Sequence, residues 1–210
     1  MPPSTFGKCG CSAATAAPAV CTIFAKICQS ASSSKSQCER DLGYLGTYSD
    51  DRQPALAELL LEPARRLDDR RFVVAGAQYP EAVEWPGNVT RIVHLPPREH
   101  RAFYNAQRYT LNITRTDMIR AGWSPSVRLF EAAACGTPIV SDYWEGLEAF
   151  FEPGEDILIA RSGEEVAAFL HDYPDEDRAA VGLRARARIC AGHTAAHRAA
   201  ELEGYAAEVS

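Results

Sequence analysis

From residue 41 onward, short apolar runs alternate with longer segments in which apolar positions recur every third or fourth residue. The first pattern is that of strands buried on both faces, the second that of helices laid against a sheet. Strands are predicted at residues 42–46, 71–76, 91–94, 109–113, 139–140 and 157–160. A helix is predicted from Pro54, with Leu56, Leu59 and Leu60 inward and Pro63 kinking or splitting it. Others are predicted over 97–107, bringing Phe103 and Tyr104 onto the sheet, and over 164–171, 175–190 and 193–205. Ser124 and Pro125 suit a helix start, Val127, Phe130 and Ala134 its buried face, and Gly136 with Pro138 its end. Residues 118–123 read as a loop that orders when a ligand binds. This alternation defines an α/β fold with a mostly parallel sheet.

Composition narrows the class. A hydrophobic content of 46% supplies a core, and no apolar run reaches the 18 residues or more of a membrane span. A net charge of −6 argues against a protein that grips a nucleic-acid backbone. The basic clusters at 65–71 and 184–188 are flanked by acids and read as solvated helix faces. Residues 1–40 stand apart, with Cys9, Cys11, Cys21, Cys28 and Cys38, the serine run Ser32–Ser34 and few large apolar side chains. They contain no C-x-x-C pair, so the spacing does not resemble a zinc site. Residues 13–25 make a poor secretory signal, interrupted at Lys26. The segment therefore reads as a disordered tail with reduced thiols, and residues 41–210 as the folded domain of a cytoplasmic protein.

Chemistry concentrates on the helix that begins near Ser124. Ser124, Arg128 and Glu131 fall at i, i+4 and i+7, so one stripe carries a hydroxyl, a guanidinium and a carboxylate. In an α/β sheet, ligands sit in the crevice where loops leave the carboxyl ends of strands. A helix N-terminus with an arginine suits a phosphate there, and a carboxylate further along can accept hydrogen bonds from a ribose diol. The same spacing equally lets Arg128 and Glu131 pair with each other on a solvated face. Arg115, at the exit of the strand at 109–113, points to the same crevice, as a diphosphate ligand or a structural ion pair. His94 and His100 read as structural histidines. Asp175-Glu176-Asp177 reads as an acidic first helical turn rather than a metal motif. His193 and His197 lack a third ligand, so no metal is expected. The sequons at Asn88 and Asn112 read as accidental.

The segment FEAAACGTPIVSD (130–142) resembles the donor-nucleotide segment of GT-B glycosyltransferases. The fuller run SVRLFEAAACGTPIVSDYWEGLEAFFEPGEDILIA (126–160) is similar to the spore-maturation CgeB/YkvP-like group. The resemblance implies a three-layer Rossmann-like domain, one half of a GT-B fold, that binds a nucleoside diphosphate sugar. It assigns Glu131 to the ribose, and the loop after the first strand, with Gly46, Thr47 and behind them Arg52, to the donor diphosphate. Glu145 and Gly146 would border the pocket. Ser126, Arg128 and Arg115 would stabilise the departing diphosphate without a metal or other cofactor. Related families carry a further glutamate eight residues before the first, where this chain has Trp123. The general base would come from a missing N-terminal acceptor domain, whose place the tail takes, as in a truncated or misassigned chain. Two other classes compete. One is a non-catalytic nucleotide-binding module or inactive fragment. The other is a flavodoxin-like receiver, which needs Asp50, Asp51 and Asp142 gathered at strand ends.

Overall fold

The computed structural model describes residues 38–209, and the expectations for the tail before Cys38 lie outside them. Six strands form one sheet: β1 (Arg40–Leu45), β2 (Phe72–Ala75), β3 (Val89–Ile92), β4 (Gln107–Asn112), β5 (Ile139–Ser141) and β6 (Leu158–Ile159). Their order in space is β3-β2-β1-β4-β5-β6, and every pairing is parallel. The helices are α1 (residues 53–66), α2 (His100–Asn105), α3 (Thr116–Ala121), α4 (Val127–Cys135), α5 (Gly163–His171), α6 (Asp175–Gly192) and α7 (Ala195–Glu208).

Side chains alternate across the sheet, so each strand feeds two cores. On one face, Leu42, Tyr44, Phe72, Val74, Tyr109 and Leu111 pack with Leu56, Leu59, Leu60 and Ala64 of α1 and Val166 and Leu170 of α5. On the other, Val73, Ala75 and Ile139 meet Phe103 and Tyr104 of α2, Leu129, Ala132 and Ala133 of α4, and Ala185 and Ile189 of α6. Helix, sheet and helix make the three layers of a Rossmann-like domain. Helix α7 buries none of its residues against the described chain.

Three elements differ from their sequence reading. Pro63 does not split α1: a π-helical turn at Ala57–Leu61 widens the backbone just before it, and the helix runs on to Arg66. Such a turn absorbs the missing N–H of a proline without breaking the rod. β3 lies two residues earlier than expected, because Asn88 is anchored. Its side-chain amide donates to the carbonyls of Ala64, Leu67 and Arg70 at the end of α1. Residues 118–123 are largely the helix α3 rather than a loop. The Asp51 carboxylate, from the other side of the sheet's midline, accepts the Thr116 N–H at 2.9 Å and caps that helix. Gly122, at φ 64°, stops it. A cap donated by a distant loop leaves no local signature.

Leu60 has no exposed surface and sits where α1 meets β1 and β2. Leu60→Ala should lower unfolding stability by about 2–5 kcal/mol. A fall in the urea midpoint at unchanged slope would show it, and a smaller loss would mean that this layer collapses around the gap.

Candidate functional site

From β1 the chain moves to β2 on one side; from β4 it moves to β5 on the other. The neighbouring pair β1/β4 is thus the switch point of the sheet, where a crevice opens beyond the carboxyl ends. Residues 46–52 form one wall and residues 113–128 the other.

Tyr44, at the end of β1, is 1% exposed, and burial pushes its hydroxyl pKa upward against the pull of Arg128 and Arg52. Arg52 follows the β1 loop and is also 1% exposed. Its Nη2 donates to the Thr47 carbonyl, while Nε and Nη1 have no hydrogen-bond partner among the described residues. Burial pushes the guanidinium's pKa down; Tyr44 opposes this, and the positive charges of Arg128 and Arg115 add to it. Arg128 reaches in from α4, with its guanidinium carbon 5.9 Å from the centre of the Tyr44 ring and Nη1 donating to Ser126 Oγ at 3.2 Å. Arg115 stands exposed at the mouth, at the N-cap position of α3. Arg52, Arg115 and Arg128 thus crowd one place, and none forms an ion pair with a carboxylate among the described residues. Such a cluster seeks an anion.

The walls are pinned from behind. Asp142, at the exit of β5, accepts from Thr114 N and Thr114 Oγ1, each at 2.9 Å, and from Ser141 Oγ at 3.3 Å. Asn112 in turn donates to Ser141 Oγ and Thr114 Oγ1. Burial pushes the Asp142 carboxyl upward and the Thr114 bonds pull it back. This network holds the backbone that carries Arg115. Across the crevice, Tyr79 donates to the Gly46 carbonyl at 3.0 Å. A side chain at Gly76 would begin 2.0 Å from that carbonyl, so only glycine lets the two loops touch there.

Helix α4 starts at Ser126, not at Ser124. Ser126 is 8% exposed and its Oγ accepts the Arg128 N–H. Val127 is 58% exposed rather than buried, and Leu129, Ala132 and Ala133 join the expected Ala134 in the buried face. Gly136, at φ 72°, ends the helix as expected. Arg128 and Glu131 do not pair with each other. Glu131 Oε2 meets His100 Nδ1 and the Tyr104 hydroxyl of α2, each at 3.3 Å. His100 is thus a hydrogen-bonded residue, as read from the sequence, and its partner is the candidate Glu131, through a contact between two helices that no local spacing encodes.

The other candidates fall into place unevenly. The Gly46 N–H is taken by the Ala75 carbonyl, so Gly46 offers the crevice room rather than a donor. Thr47 is exposed at the rim. Glu145 contributes its carbonyl, which accepts the Trp123 N–H at 3.0 Å, and Gly146 follows at φ 94°. Asp50 accepts from Tyr48, Asp51 from Ser49 and Thr116, and Asp142 from Thr114. The three therefore have separate duties rather than forming a receiver's acidic cluster. Asp175 is paired with Arg108 and Arg178, and His197 closes the capping box of α7 with Thr194. Among the described residues there is no group of three His, Cys, Asp or Glu placed to hold a metal. Nor is any helix among them long and apolar enough to cross a membrane.

Strand order and crevice together define a Rossmann-like domain. The chain belongs to the glycosyl transferase-like family, whose model matches residues 52–204. Among solved structures, it is similar to a sucrose-phosphate synthase from Thermosynechococcus elongatus, at a TM-score of 0.64 and 15% identity over 82% of this chain and 46% of that one. Anabaena HepE in complex with UDP-glucose matches at a TM-score of 0.56 and 14% identity, over 71% and 43%. The pneumococcal O-GlcNAc transferase GtfA, in complex with UDP and GlcNAc, matches at 0.56 and 13%, over 74% and 33%. This chain spans less than half the length of each. Among curated proteins none matches the sequence.

An unpaired buried guanidinium costs folding energy, and an apolar replacement of similar size is often neutral or stabilising by about 1–4 kcal/mol. Arg52→Met should therefore raise the stability of the ligand-free protein, read as a higher urea midpoint. A loss of stability would mean that Arg52 is a structural strut.

Proposed function

We propose that this chain is the donor-binding half of a nucleotide-sugar-dependent glycosyltransferase, of the CgeB/YkvP-like group. The observation that carries this reading is the meeting of Arg52, Arg115 and Arg128, none of them in an ion pair among the described residues, with Glu131 one helical turn beyond Arg128. A nucleoside diphosphate has the matching sequence of charges. Its two phosphates fit among the arginines, Ser126 and the first turn of α4, and its ribose hydroxyls donate to the carboxylate of Glu131. His100 and Tyr104 hold one oxygen of that carboxylate, which orients the other. Gly46 and Thr47 give the diphosphate its close approach, and Glu145 and Gly146 border the far side.

In the reaction, the bond between the anomeric carbon and the diphosphate oxygen breaks, and its electron pair stays on that oxygen. The acceptor's hydroxyl oxygen bonds to the carbon and its proton passes to a base. Guanidinium groups fixed in a poorly solvated crevice stabilise the charge that develops on the leaving group, so this reading requires no metal or other cofactor. The base and the acceptor site belong to a second, N-terminal domain, and no residue of this chain is assigned to proton transfer. The family match, and the UDP and UDP-glucose complexes among the similar folds, support the choice of donor.

Calorimetry with UDP, GDP and inorganic pyrophosphate tests the assignment. Arg128→Ala and Arg115→Ala should each weaken UDP and pyrophosphate about tenfold or more, as expected for a charge-assisted hydrogen bond. Glu131→Ala should weaken UDP by a similar factor and leave pyrophosphate unchanged. Equal UDP affinity in the Glu131 variant would remove the ribose assignment. Unchanged affinity in both arginine variants would remove the diphosphate site. His100→Ala should show a milder loss confined to the nucleoside diphosphates.

A further inference from the structure

We infer that Trp123 is the platform on which the transferred sugar of the donor stacks, and so a determinant of donor specificity. The inference rests on the donor reading above and adds the sugar's place to it.

Three features of Trp123 point to a ligand. Its indole is 63% exposed, although it is among the largest apolar side chains in the protein. Its backbone is in the left-handed region, at φ 54°. A bulky side chain adopts that conformation only under strain, and glycine or asparagine would adopt it more readily. Strain of this kind persists where the surroundings impose it, and it gathers at binding sites. The surroundings here are specific. The Trp123 N–H is held by the Glu145 carbonyl at 3.0 Å, and the ring lies against Gly146. A Cβ on Gly146 would fall 2.7 Å from indole Cδ2 and 3.0 Å from Cγ and Cε3. Gly146 itself is at φ 94°. One indole face is thus seated on a bare backbone and the other is left to solvent. The contact joins the connection after β4 to the loop after β5, both at the carboxyl edge of the sheet.

Chain order selects the occupant. Glu131 stands three residues beyond Arg128 on α4, about 4.5 Å along its axis. Trp123 lies on the opposite side of Arg128, three residues before the Ser126 cap. A nucleotide sugar is likewise linear, with ribose, diphosphate and hexose in that order. With the ribose at Glu131 and the diphosphate at Arg128 and the helix start, the hexose falls at Trp123 and the nucleobase does not. The apolar C–H face of a pyranose matches an open indole face and leaves the ring's hydroxyls at its edge to choose among epimers.

The test compares UDP with UDP-glucose, UDP-galactose and UDP-N-acetylglucosamine by calorimetry on the full chain, alongside tryptophan fluorescence. Trp123→Ala should weaken the best-bound UDP-hexose about three- to tenfold, as an aromatic stacking contact implies, and leave UDP within twofold. Trp123→Phe should restore most of the loss. Gly146→Ala should copy Trp123→Ala by displacing the ring. The best UDP-hexose should also change the tryptophan emission beyond the change produced by UDP, and Trp123→Phe should abolish that difference. Equal losses for UDP and UDP-hexose would show that the indole serves the nucleotide or merely braces the loop, and would overturn the inference. So would an unchanged UDP-hexose affinity in Trp123→Ala. If the wild-type chain binds no UDP, the donor reading fails and takes this inference with it; if it binds UDP and only the hexose difference is missing, the sugar platform alone fails.

Discussion

Most of this molecule can be understood from one unfavourable arrangement: a buried, charged guanidinium left without a counter-charge. Arg52 is nearly inaccessible, two of its nitrogens lack hydrogen-bond partners among the described residues, and two further arginines stand nearby. Desolvation and mutual repulsion both act against folding. The fold tolerates this because the strands beneath are buried on both faces and supply the stability. Under the proposed function, a ligand that brings two phosphates would remove that cost, and ligand binding and relief of strain would be the same event.

The surrounding parts keep that crevice from collapsing. Left to themselves, loops rich in Asp and Arg would fold over and neutralise one another. Here each nearby acid is already committed. Asp51 caps α3, Asp142 holds Thr114, and Glu131 is held by His100 and Tyr104. These carboxylates are taken up by backbone amides, hydroxyls and the His100 ring, and none forms an ion pair with the three arginines, although Asp51 lies close enough to feel the charges of Arg52 and Arg115.

Helix α4 joins the two roles. Its alanines pack against the sheet, and its N-terminal turn lies at the β1/β4 crevice. Under the proposed function, this single rigid rod would set the spacing between the phosphate end and the ribose end of a donor, with Trp123 in the loop before it.

The sequence by itself determined the α/β alternation, the location of all six strands to within two residues of their ends, and the glycine that ends α4. Those features depend on local periodicity, on the conformations glycine allows and on the burial demanded of parallel strands. It also singled out Arg128, Glu131 and Arg115 as candidates, because charged side chains at a strand exit or along a helix face are visible in spacing. Tertiary structure alone decided the rest. The sequence reading places the start of α4 at Ser124, whereas the structure caps it at the buried Ser126 and packs Leu129, Ala132 and Ala133 rather than Val127 inward. His100 meets Glu131 across 31 positions of sequence, Asp51 caps a helix 65 positions away, and Gly146 seats Trp123 from another loop. Such partners are brought together by the crossing of the chain at the β1/β4 switch point, and no periodicity along the chain records which loops will meet there.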